Sequence, residues 1–132
     1  MLRIAVVALA IAVIAPVAPA SYIPLTFREL VGGADLIVVV TITKLDEEAF
    51  EATVADALFG AASGETIRVR KFRDWPCAKR RAPYAVDQKL LLFLTERNRK
   101  AAPGDVWWIM GAGDSGEMSI VDDFVYPGVR LG

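Results

Sequence analysis

The sequence predicts an all-β domain: a five- to six-stranded barrel with one short N-terminal helix, a small β-sandwich being the alternative. Three observations carry that expectation. Segments of strand character recur at 36–46, 49–58, 66–72, 89–96 and 106–110. One stretch only, starting near Thr26, has the chemistry of a helix start. Two of the strand segments are apolar on both faces, so one face turns inward while the other lies under a helix or loop. That last point favours the barrel.

The chain of 132 residues opens on Met1-Leu2-Arg3, followed by twelve apolar residues at 4–15 and then Pro16-Val17-Ala18-Pro19-Ala20. A charged start, a short apolar run and small residues at Ala18 and Ala20 describe a secretory signal peptide over 1–20, cleaved after Ala20. The rival reading is a membrane anchor. Twelve helical residues span about 18 Å against roughly 30 Å of hydrocarbon, so the signal peptide is preferred. The expected product is a single domain, residues 21–132, secreted or periplasmic, with no stable membrane insertion after cleavage. Loss of residues 1–20 removes one Arg and no acid, which leaves 14 basic against 16 acidic side chains.

Each element follows from its residues. Thr26-Phe27-Arg28-Glu29 has the form of a capping box, with Leu25 and Leu30 at the staple positions and Gly32-Gly33 to end the helix. The spacing predicts a helix over 27–32. The run 36–40, LIVVV, shows no alternation and reads as a strand buried on both faces. In the next segment Phe50, Ala52, Val54 and Leu58 share one face. Ile67 and Val69 face inward from the third, which turns Arg68 and Arg70 outward. Residues 73–88 contain two prolines and no period, so they read as a long loop, the kind that is usually functional or disordered. KLLLFLTE at 89–96 reads as a central strand. Residues 117–121 and 124–126 suit short strands paired around Asp122-Asp123. In a strand, Trp107 and Trp108 point to opposite faces, one filling the core.

These segments also carry a resemblance. GGADLIVVVTI, FEATVADALFG, SGETIRVR and QKLLLFL resemble the netrin-like module, the OB-like barrel (the oligonucleotide/oligosaccharide-binding fold) shared by tissue inhibitors of metalloproteinases (TIMP-like proteins) and secreted bacterial proteins. The likeness covers roughly residues 25–110. It implies an OB-fold barrel with a helix packed on it and a binding or inhibitory role. The inhibitors use a mature N-terminal cysteine held by disulfides, whereas this chain would begin Ser21-Tyr22, so protease inhibition does not carry over.

Composition excludes several chemistries. There is no histidine and one cysteine, which rules out His-based triads, His-Cys zinc sites, His-ligated haem and any intramolecular disulfide. Gly111-Ala112-Gly113-Asp114-Ser115-Gly116 fits a dinucleotide fingerprint in letters only, since no helix pattern and no suitably spaced acid follow. Gly113-Asp114-Ser115-Gly116 matches the nucleophile signature of serine proteases but has no imidazole to take the proton. A glycine-rich turn is the better reading of both. Asp46-Glu47-Glu48 and Asp122-Asp123 lack calcium-loop spacing and read as solvated turns. No catalytic, cofactor-binding or metal-binding residue is singled out, and no cofactor is expected.

The most uneven feature is basic. Arg68, Arg70, Lys71, Arg73, Lys79, Arg80 and Arg81 fall within fourteen positions, with Asp74 the one acid among them and Trp75 and Tyr84 within or beside the run. A basic groove with aromatic side chains is how barrels of this class hold polyanions. The bland reading, a solvated strand face plus a soluble loop with Trp75 pinning the loop to the barrel, is the weightier one. An exported location argues against nucleic acid and for a protein or an anionic envelope polymer. Cys77 is unpaired in an oxidising compartment and is a candidate intermolecular thiol, giving a Cys77-linked dimer or mixed disulfide; a buried thiol is the alternative. The leading expectation is a secreted, non-catalytic binding module that uses Arg68, Arg70, Lys71, Arg73, Trp75, Lys79, Arg80, Arg81 and Tyr84. The alternatives are a structural envelope component paired through Cys77 and a small carboxylate-based hydrolase.

Overall fold

In the computed structural model, the described residues are 25–60, 65–74, 79–80, 82–96, 106–111 and 115–127. The expected signal peptide, Trp75, Cys77 and Arg81 lie outside them.

The helix forms where its cap dictates. Thr26 Oγ1 accepts from the Glu29 backbone N–H at 3.2 Å, and the Thr26 N–H donates to Glu29 Oε2 at 2.7 Å. Two otherwise orphaned helix donors are thereby satisfied, and α1 runs over Phe27–Gly33. It extends through the glycine pair expected to end it, and Ala34 caps it by donating its N–H to the Leu30 carbonyl at 3.1 Å. Seven residues are too few to hold a helix alone. Packing does so instead: Leu30, 1% exposed, meets Ala34, Ile37, Phe93 and Met118 in a small core.

Seven strands follow: β1 (Leu36–Leu45), β2 (Ala49–Phe59), β3 (Thr66–Arg70), β4 (Lys89–Thr95), β5 (Trp108–Ile109), β6 (Glu117–Val121) and β7 (Phe124–Tyr126). They form one antiparallel sheet in the order β3-β2-β1-β4-β6-β7, with β5 also on β4. The domain is all-β with a single short helix among the described residues, as expected. The sheet is not closed, which is the openness the β-sandwich alternative allows. The β3 edge nonetheless approaches β5. β6 pairs with β4 at Lys89–Leu92, and β5 pairs with it farther along at Leu94 and Thr95. Just before β5, Trp107 makes a lone parallel bridge to Val69 of β3, donating its N–H to the Arg68 carbonyl and accepting from the Arg70 N–H, both at 2.9 Å.

The curl encloses the main core. Leu36, Val38, Val40 and Ile42 of β1 face Phe50, Ala52 and Val54 of β2, Ile67 and Val69 of β3, and Leu90, Leu92 and Leu94 of β4. Each Val, Leu, Ile or Phe among them contributes about 1.5–3 kcal/mol on full burial. The opposite face of β1 and β4 presents Ile37 and Phe93 to α1. That is why both strands lack alternation: one face meets the core, the other the helix. Register shifts between β1 and β2 break the alternation near the end of β2. Leu58, expected inward, is therefore 59% exposed.

Candidate basic cleft at the β3 loop

The basic run leaves β3 and enters the long connection to β4. Val69 and Ile67 are buried, which turns Arg68 and Arg70 outward as the register requires. Each of these arginines, though on the exposed face, has a partner there. Arg68 Nη2 lies 2.6 Å from Asp46 Oδ2. Asp46 is itself the hub of the β1–β2 turn: its Oδ1 accepts from the N–H groups of Ala49 at 2.8 Å and Glu48 at 2.9 Å. Those two backbone donors, then Arg68, hold its carboxyl down at about 2 from an ordinary 3.8. Arg70 lies with Cζ 4.6 Å from the centre of the Trp108 ring. Trp107 packs against the main core, so the two tryptophans take opposite sides as expected.

Beyond β3 the chain is tied down by Tyr84. Its hydroxyl accepts from the Phe72 N–H at 2.9 Å and donates to Glu117 Oε2 at 2.7 Å. Its ring packs on Phe50, with centroids 5.1 Å apart, and Arg80 Cζ sits 3.1 Å from the ring centroid. Burial, then the Glu117 charge, raises the Tyr84 phenol well above its ordinary value. Arg80 Nε donates to Glu117 Oε1 at 2.7 Å, and Nη2 reaches the same oxygen. The pair is buried, with side chains 6% and 4% exposed. Asp74 Oδ1 accepts the Arg80 backbone N–H at 3.0 Å, which folds the loop back on itself.

The result is a cleft of about 560 Å³ whose wall includes Lys71, Arg73, Asp74, Arg80, Pro83 and Tyr84. Lys71 leans over the edge of the site with Nζ 5.9 Å from the Tyr84 centroid, and Arg73 and Lys79 are exposed. The structure thus divides the expected basic run. Arg68 and Arg70 have partners on the strand face. Lys71, Arg73, Arg80 and Tyr84 come together at the cleft. Tyr84 serves as an anchor, its hydroxyl and ring occupied by the protein itself. Glu117 and the turn role of Asp46 had no signal in the spacing of the basic residues.

Among the described residues, no group of three or more His, Cys, Asp or Glu side chains is placed to hold a metal ion, and no helix is long and apolar enough to cross a membrane. Comparison with known protein families, with curated proteins and with solved structures finds no match.

Proposed function

We propose that this protein is an exported, non-catalytic binding module that takes an anionic polymer in the cleft between the end of β3 and the long loop. The observation that carries the reading is the cleft itself: among the described residues Lys71, Arg73 and Arg80 line it, with Asp74 the one acid in the lining and Glu117 paired to Arg80. A concave wall with one sign of charge in excess attracts and concentrates anions. The netrin-like resemblance and the secretory pattern of residues 1–20 support a binding role outside the membrane.

Titration of the purified protein with polygalacturonate, followed by tryptophan fluorescence, tests the reading. Saturable binding that weakens steeply with added salt is expected. Absence of binding at low salt would refute it. Capture of an acidic protein instead of the polymer would move the partner class.

A further inference from the structure

Arg80 occupies an unusual position for a surface-loop arginine. Its side chain is 6% exposed, yet it lines the cleft. A guanidinium has five N–H donors. Nε and Nη2 are directed to Glu117 Oε1. Nη1 has no partner among the described residues, and no buried side-chain nitrogen or oxygen among them is left unsatisfied. Arg80 lines the cleft, and Nη1 is the part of its guanidinium left to serve it.

The surroundings fix the direction of those donors. Glu117 holds one edge of the guanidinium, the Tyr84 ring supports its face, and the Tyr84 hydroxyl holds the second oxygen of Glu117. A planar fork pinned on one side offers its other side in a set geometry. The charges also balance in a specific way. Among the described lining residues, Arg80 is offset by Glu117, and Lys71 and Arg73 against Asp74 leave one positive charge in excess.

We infer that the floor of the cleft is a built subsite for one singly charged oxyanion, a carboxylate or a sulfate ester, with Arg80 as donor and Glu117 and Tyr84 as its positioning residues. This rests on the proposed anion-binding function and deepens it: the polymer is read one charged group at a time, not by diffuse attraction alone. Lys71 and Arg73 steer the group in, and Arg80 orients it.

Nuclear magnetic resonance of the isotope-labelled protein tests this, with glucuronate, methyl sulfate and neutral methyl glucoside added at constant ionic strength. The expected result is a saturable shift of the Arg80 Nε–H signal and the Phe72 and Arg73 amides with an anion and none with the neutral sugar. A response to glucuronate alone assigns a carboxylate, and a response to methyl sulfate alone a sulfate ester; either supports the subsite. Arg80→Lys keeps a charge for Glu117 but loses the fork, and is expected to weaken binding about tenfold. Should that variant not fold, the wild-type shifts decide. Polygalacturonate binding without an Arg80 response to either small anion overturns the subsite and leaves the proposed function standing. Failure of polymer and small anions alike overturns both.

Discussion

Arg80 and Glu117 lie 37 positions apart and meet as a buried ion pair that joins the long loop to β6. Removing one partner of such a pair leaves a charge out of water without compensation. Arg80→Ala or Glu117→Ala is therefore expected to cost about 3–5 kcal/mol each. The double change Arg80→Met with Glu117→Leu recovers most of that loss. Urea midpoints at unchanged slope check both statements.

Tyr84 is the second anchor. Tyr84→Phe deprives both Glu117 Oε2 and the Phe72 N–H of a partner and is expected to destabilise by about 1–3 kcal/mol. Because the folded phenol is raised above its ordinary 10.0, its contribution to stability is complete below that value. It is lost as pH rises through the folded value. An ultraviolet absorbance titration is expected to show Tyr84 ionising only as the protein unfolds.

Asp46 has the opposite sign. Its carboxyl titrates at about 2 instead of 3.8, so what it adds to stability is present above 3.8 and disappears as pH falls toward 2. Asp46→Asn is expected to flatten the acid side of the stability profile in that window. A profile as steep as that of the wild type would contradict the hub role given to its Oδ1.

The hairpin turn between β6 and β7 stores strain. Asp122 and Asp123 both have positive φ, at 50° and 64°, a region that Asn and Asp tolerate better than other side chains but that favours glycine, Asn-Gly being a preferred pair in such turns. Asp122→Asn with Asp123→Gly is expected to raise stability by about 1 kcal/mol, read from the thermal midpoint.

What could be read from the sequence was local. The Thr26–Glu29 capping box is a four-residue pattern and folds as one. The doubly apolar runs of β1 and β4 announce their burial on two faces, and Ile67 and Val69 fix the outward direction of Arg68 and Arg70. What could not be read was non-local. Glu117 heads a short strand and, taken alone, resembles any surface acid; only the curl of the sheet brings Arg80 and Tyr84 to it. The lone bridge of Trp107 to β3 is a backbone contact, which side-chain patterns do not encode. Leu58 faces solvent because register shifts between β1 and β2 intervene, and no period reports them. The same limit applies to the basic run: charge density marked the region, but which cations have partners depends on Asp46, Trp108 and Glu117.

That division supplies the most direct test of the central claim, that the cleft and not the strand face holds the anion. The measurement is polygalacturonate affinity of two double variants at one low salt concentration, with folding checked by thermal melting. Lys71→Ala with Arg73→Ala is expected to lower affinity about tenfold or more, while Arg68→Ala with Arg70→Ala changes it by less than about threefold. The reverse order, with the strand-face variant losing binding and the cleft variant keeping it, would contradict the account.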